Sequence, residues 1–310
     1  MRISGPEEGR PAIAVVEVNG LVKRYGETEA VGGISFAIDE GEVFALLGPN
    51  GAGKTTTVEI LEGYRAATGG TVEVLGFDPG DNHRAFKERI GIVLQESSVE
   101  RELSVREAID TYGFVYPKRL DTVDLIDIVG LTDKADARVK TLSGGQKRRL
   151  EVALGLVGDP DLIFLDEPTT GFDPSARRQA WEVIDNLTSL GKTILLTTHY
   201  MDEAQHLADR VAVIDHGRIV ATGTPDTLGG RADARTEIRF SLGTTPLGDL
   251  PIPPDARDGL AVVYHTDDPT TVLHRLTVWA SGRGVALEGI TVTRPSLEDV
   301  YLALTDGGEQ

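Results

Sequence analysis

Gly48-Pro49-Asn50-Gly51-Ala52-Gly53-Lys54-Thr55 sets glycines, a lysine and a hydroxyl at the spacing G-x-x-x-x-G-K-[ST]. Residues without bulk let a polyphosphate approach backbone N–H groups, and Gly48, Gly51 and Gly53 supply that access. Lys54 adds a full positive charge that can reach the outer phosphates, at the start of a helix whose dipole points the same way. Thr55 offers a hydroxyl suited to Mg²⁺, a hard cation that prefers oxygen ligands. The loop lies between the apolar run Val43–Leu47 and a stretch of helical spacing that begins at Lys54. In that strand-to-helix context the pattern is a phosphate-binding P-loop.

A second apolar run, Leu162 to Leu165, ends in Asp166 and Glu167. Behind a P-loop, Asp166 can hold Mg²⁺ and Glu167 can take a proton from attacking water, or the two acids are mere solvated strand terminators. Gln95 closes the run Ile90–Leu94, and His199 closes Thr193–Thr198. Ligands of open α/β sheets gather at that edge. Gln95 can therefore touch metal or water, or simply terminate its strand; His199 can donate a hydrogen bond to a phosphate oxygen, or do nothing. Ser143-Gly144-Gly145-Gln146 reads as an N-cap and an open turn, either a second anion-binding helix terminus or an ordinary capped turn. Tyr25 can stack on a base or pack half-buried.

Short β-rich runs at Ile13–Val18 and Ile34–Ile38 precede the P-loop and suggest antiparallel strands, with Tyr25 between them. After Lys54, the residues Val58, Leu61 and Tyr64 form a helical stripe, and Thr71–Leu75 reads as a strand. From Ser97 the pattern turns helical, with stripes Val105, Ile109, Tyr112 and Leu125, Ile128, Val129, so an inserted helical subdomain is expected over about 97–157. Asp173-Pro174 is an N-cap with proline at the first helical position. Val211–Ile214 and Arg218–Val220 read as a hairpin around His216-Gly217, and Thr224–Arg235 as a linker. Beyond it, 236–310 reads as a small α+β domain without visible chemistry: strands through Ile238, Phe240, Leu242 and Leu260–Tyr264, a helix from Asp268-Pro269, and a capped helix from Ser296.

A chain of 310 residues is long enough for one large and one small domain. The net charge of −18 argues against a general nucleic-acid binder, whose affinity rests on neutralised phosphates. The absence of cysteine excludes disulfides and cysteine-ligated metal sites. Residues 1–12 are polar, with no apolar core of the kind a secretory signal needs, and read as a disordered lead-in. No stretch approaches the ~20 apolar residues that span a bilayer, so work at a membrane would need another chain to cross it.

GPNGAGKTT, Gln95, LSGGQ, LIFLDEP, Asp173 and His199 stand in the order found in the ATP-binding cassette (ABC) ATPases, and from Ile13 to Gly223 the chain resembles that family. The resemblance implies an α/β P-loop NTPase cassette with a RecA-like core, an antiparallel β subdomain and the inserted helical subdomain, over 13–223. It also implies a head-to-tail homodimer, each ATP held between the P-loop with Thr56 of one subunit and the Ser143–Gln146 turn of the other. Tyr25 would stack on adenine, Thr55, Gln95 and Asp166 would serve Mg²⁺, and Gln95 would also sense the transport partner. Glu167 would be the base, Asp173 would cross the dimer interface and His199 would contact the γ-phosphate. Residues 197–204 and 295–301 resemble the daunorubicin-resistance branch, in which a separate ATPase subunit with a C-terminal accessory domain drives a membrane permease. Phe172, where leucine commonly precedes the crossing aspartate, is the one departure and remains apolar. The expectation is a bacterial exporter subunit at the cytoplasmic face of the membrane, for drug or antibiotic efflux. The alternative is a soluble ABC ATPase acting on ribosomes or DNA, whose usual tandem cassettes, coiled-coil insertion, cysteine-zinc modules and basic patches are not seen.

Overall fold

A computed structural model of the chain describes residues 14–93, 99–242 and 247–306. The chain divides after Pro225 into two units. In the first, β1 (Ala14–Tyr25) and β2 (Thr28–Asp39) form a long antiparallel hairpin. Both strands run well past the expected segments because the ladder continues through bulges at Val18/Leu21 and Lys23/Arg24. Polar residues there line the exposed face, which carries no apolar signal. Tyr25 is thus the last residue of β1 and not a connector.

Next come β3 (Val43–Leu47), α1 (Lys54–Leu61) and β4 (Gly69–Val74), the last pairing with β1 to give a three-stranded sheet of order β2-β1-β4. Helix α1 stops at Leu61, so Tyr64 falls beyond it and is exposed instead of extending the Val58–Leu61 stripe. After α2 (Arg84–Lys87) and β5 (Ile90–Val93), the helical insertion contains α3 (Val105–Gly113), α4 (Thr122–Ile128) and α5 (Gly144–Leu156). Its apolar stripes are buried at Val105, Ile109, Leu125 and Val129, whereas Tyr112, in the last turn of α3, is 41% exposed. The sequence then supplies β6 (Leu162–Asp166), α6 (Pro174–Ser189), β7 (Thr193–Thr198), α7 (Met201–Leu207), β8 (Arg210–Asp215) and β9 (Arg218–Gly223).

These strands make one sheet of order β5-β6-β7-β3-β8-β9, parallel except for the β8–β9 hairpin. β3, β6 and β7 are covered on both faces, which is why each reads as an unbroken apolar run. Register then sets the site: Asp166 stands beside Thr197, and Leu47 beside both Thr198 and Val213. Four strand ends, those of β6, β7, β3 and β8, meet at one level, and the P-loop leaves from β3.

In the second unit β10 (Thr236–Ser241), β11 (Ala256–Asp258), β12 (Ala261–Thr266) and β13 (Glu288–Thr293) form an antiparallel sheet of order β11-β12-β10-β13. It is accompanied by α8 (Pro269–Arg283) and α9 (Leu297–Asp306). Ile238, Phe240, Val262, Tyr264 and Leu276 build its core, with the Phe240 and Tyr264 rings stacked 6.0 Å apart. Within the stretch of linker composition, Leu228–Asp233 winds into 3₁₀ turns, Leu228 is buried, and Arg231 Nε donates to the Pro295 carbonyl at 2.6 Å.

The exit of β3 into the P-loop is closely packed. A Cβ on Gly48 would press into the Ile214 carbonyl oxygen of β8, a backbone atom that cannot swing aside. Gly48→Ala is therefore expected to cost about 1–3 kcal/mol, the usual range for overpacking, and to weaken nucleotide binding at the displaced loop. Urea denaturation with and without nucleotide measures both.

Candidate active site

The P-loop folds back over its own lysine. Lys54 is 4% exposed, and its Nζ donates to the carbonyls of Gly48 at 2.8 Å and Pro49 at 3.2 Å. Gly53, at φ +107° with the Ala30 carbonyl 2.6 Å from where a Cβ would be, allows the turn into α1 that only glycine fits. No acidic residue occupies the first turn of α1, so its positive end is left to an anion. A cavity of about 450 Å³ opens there, lined by Asn50, Gly51, Gly53, Lys54, Thr55 and Thr56 on one side and Glu167, Thr170 and His199 on the other. Pro49 serves through its carbonyl, and Ala52 is buried beneath the loop.

Thr197 organises the opposite wall. Its hydroxyl donates to Asp166 Oδ1 at 2.5 Å and accepts the Glu167 N–H at 3.0 Å, so one side chain orients both acids. Glu167 adopts φ +44°, a left-handed conformation rare outside glycine and asparagine, which turns its side chain off the strand direction. Glu167 Oε1 is 3.4 Å from Lys54 Nζ and 3.4 Å from His199 Nδ1, and Oε2 accepts from the Thr170 hydroxyl at 3.0 Å. Burial pushes this carboxyl up, but the Thr170 hydrogen bond and the charges of Lys54 and His199 outweigh it and hold it below the usual glutamate range. Glu167 is thus ionised at neutral pH. His199 Nδ1 is buried and lacks hydrogen-bond geometry to any group, including Glu167, which fits a polar atom awaiting a ligand oxygen. Thr55 and Asp166 carry oxygen donors of the hard kind that could hold Mg²⁺.

Other expected residues lie away from this cavity. Ser143 caps α5 in a reciprocal capping box, its Oγ accepting from Gln146 N at 3.3 Å and Gln146 Oε1 from Ser143 N at 3.0 Å. Gly144 faces open space. Asp173 caps α6 through bonds from Ser175 N and Ala176 N at 2.8 and 2.9 Å. The Tyr25 ring is 42% exposed, with Lys23 Nζ 5.1 Å and Arg65 Cζ 5.4 Å from its centroid. Gln95 lies outside the described residues, as does Leu94.

Sequence reasoning missed several supporting groups. Thr170 and Thr197 sit in runs whose other features drew attention, and nothing local marks their hydroxyls. Glu203 of α7 is buried, and its Oε1 accepts from the Thr169 hydroxyl at 2.8 Å and Trp181 Nε1 at 3.2 Å. Arg148 is buried at 6% although it belongs to a charged run, Lys147-Arg148-Arg149. Glu62, at the end of α1, is also buried; burial first, then the charges of Asp166 and Glu59, push its carboxyl up to about 8.

Two outcomes are expected. Thr170→Val removes a hydrogen bond that keeps Glu167 ionised, so the acidic limb of the kcat/KM profile should move to higher pH, with the rate lost first at the acid end. Glu62 holds a proton in the folded state that the unfolded chain releases near its ordinary value, so it removes stability as pH rises from about 4.5 to about 8. Glu62→Gln should therefore be more stable than the parent at about pH 8, and the advantage should vanish at about pH 4. Denaturant titrations at the two pH values test this.

Comparison with known proteins accords with this geometry. A model of the ABC transporter family matches residues 31–170, and one for the C-terminal domain of ABC transporter domain-containing proteins matches 236–296. The daunorubicin/doxorubicin resistance ATP-binding protein DrrA of Streptomyces peucetius is 38% identical over 94% of this chain and 92% of its own. The Nod factor export ATP-binding protein I of Ralstonia nicotianae is 44% identical over 97% and 96% respectively. Among solved structures, cbiO1 of Clostridium perfringens, part of the ABC transporter complex cbiONQ, superposes with a TM-score of 0.63 at 31% identity, covering 69% of this chain and 89% of that one. With its P-loop and acid pair on this sheet and its capped glycine turn at the start of α5, the chain belongs to the ATP-binding subunits of ABC transporters, the ATPases of that family.

Proposed function

We propose that this ATPase works as a head-to-tail homodimer that powers a separate membrane permease from the cytoplasmic face, exporting a drug or antibiotic. The observation that carries the reading is the ionised Glu167 carboxylate, 11% exposed, beside Lys54 and His199 in the cavity below the P-loop. Lys54 rests on its own loop's carbonyls, from which it can turn to the outer phosphates. His199 Nδ1 offers a buried donor to a γ-phosphate oxygen. Water attacks the γ-phosphorus, the bond to the bridging oxygen of ADP breaks, and Glu167 takes the water's proton. Thr55 and Asp166 would hold Mg²⁺, which when bound would neutralise charge on the phosphates.

The exposed turn Ser143–Gly145 supports the dimer reading. One chain's P-loop already provides a full phosphate cradle, so a second capped helix start open to solvent is suited to a partner's nucleotide. Asp173 is then carried to the interface by the start of α6. Tyr25, on the hairpin, is suited to stacking on the adenine. Gln95 is assigned to Mg²⁺ and to sensing the permease on the strength of the family resemblance alone.

Both curated relatives described above carry export or drug resistance in their names, which supports efflux. No helix among the described residues is long and apolar enough to cross a membrane. The permease has a suitable face to meet: exposed Tyr64, Tyr112, Phe114 and Val115 beside a cleft of about 390 Å³ holding Glu62 and Glu151. An apolar segment of the permease would match it in polarity.

Glu167→Gln keeps shape and removes the base. It should retain ATP binding, lose about 10²–10⁴ in turnover and accumulate as an ATP-bound dimer, read by phosphate release and light scattering. Turnover at the parent rate would rule out Glu167 as base, and a variant that stays monomeric with ATP would sink the paired half-sites.

A further inference from the structure

We propose that Arg148 is a positioning residue for hydrolysis, holding the Glu167 backbone from the helix that the Ser143 turn begins. The proposal rests on Glu167 being the general base. Arg148 lies on α5, five residues beyond the Ser143 cap, and its guanidinium is turned inward. Nε donates to the Pro168 carbonyl at 3.1 Å and Nη2 to the Asp166 carbonyl at 3.2 Å. Those two carbonyls stand on either side of Glu167. Nη1 donates to Glu151 Oε2 at 3.0 Å, an ion pair one turn along α5 that compensates the buried charge and aims the fork.

The grip has an evident use. A glutamate at φ +44° is disfavoured by its Cβ and persists only where its surroundings hold it. On one side, the Glu167 N–H is taken by Thr197, through its hydroxyl at 3.0 Å and its carbonyl at 3.2 Å. On the other, the flanking carbonyls are taken by Arg148. Remove that second hold and the segment 166–168 can relax toward an ordinary conformation, carrying the carboxylate away from Lys54 and His199. Only a planar fork spans two carbonyls and a carboxylate at once; an ammonium is a point donor on a flexible stem. Because the same helix starts at Ser143, a shift of that turn also moves the group that holds the base.

The decisive variant is Arg148→Lys in the full-length protein, which keeps the charge beside Glu151 but cannot bridge both carbonyls. Turnover should fall about tenfold or more, with the KM for ATP and the thermal midpoint near parent values, since the bridge to the Asp166 and Pro168 carbonyls acts on the reacting geometry. In the Glu167→Gln background the same change should cost almost nothing further, because Arg148 works through Glu167. Arg149→Lys, whose parent side chain donates instead to the Gly130 carbonyl, should leave turnover within about twofold. Parent-like turnover in Arg148→Lys overturns the proposal, as does a loss expressed in KM or one that multiplies fully with Glu167→Gln. If Arg148→Lys melts well below the parent, the pair Arg148→Gln with Glu151→Gln, which strands no buried charge, must show the same kcat loss at parent KM. A Glu167→Gln protein with parent turnover would instead mark failure of the base assignment itself.

Discussion

A single hydroxyl, that of Thr197, ties the two acids of the site, Asp166 and Glu167, together. It donates to Asp166 and accepts from the Glu167 amide, so the two acids are oriented by the neighbouring strand and not by their own. This is possible only because β6 and β7 are parallel and in the register that sets Asp166 beside Thr197. A slip of one residue would turn every side chain of the strand to the other face and leave both acids misdirected. Close packing on both sheet faces makes such a slip costly, since side chains moved to the other face no longer fit their sites, at about 1–3 kcal/mol for each that is overpacked. The chemistry at the strand ends thus depends on apolar packing along the strands.

The charges beneath the P-loop are arranged for a ligand. A buried ammonium is expensive unless paired and hydrogen-bonded. Lys54 meets that requirement with two carbonyls and the Glu167 carboxylate, all within 3.4 Å. The same three contacts keep the side chain folded at the mouth of the cavity, where phosphate oxygens can replace them at little desolvation cost. His199 is less well satisfied, with Nδ1 buried and without a hydrogen-bond partner. An acceptor of the phosphate type would complete it. Site formation and ligand binding therefore draw on the same groups.

What the sequence discloses follows from which constraints are local. The P-loop, the unbroken apolar strand Val43–Leu47 and the Asp173-Pro174 start of α6 were readable because glycine access, two-sided burial and capping each leave a mark within a few residues. The full extent of β1 and β2 was not, since bulged and half-exposed strands lose their alternation. Tyr64 and Tyr112 satisfied a helical period but lie at or past a helix end, where period no longer dictates burial. Strands β11 and β13 were missed: the first has three residues and the second is exposed throughout. Arg148 and Glu62 were hidden for another reason. A charged residue in a helix is read as solvated, and only the partners brought from Pro168, Asp166 and Glu59 show otherwise.

A chain of net charge −18 that binds a polyanion must overcome its own field locally. At physiological ionic strength that field is screened over about 8 Å, so distant carboxylates contribute little repulsion at the P-loop. What remains is decided within the cavity, by Lys54, the loop amides and the unopposed N-terminus of α1. The acids that must lie close are each managed differently. Asp166 is bound to Thr197; Glu167 is neutralised in part by Lys54; and Glu62, near Asp166 at the far end of α1, keeps its proton near neutral pH. A protonated Glu62 adds no negative charge behind Asp166. The overall charge of the surface and the sign of the pocket are in this way independent.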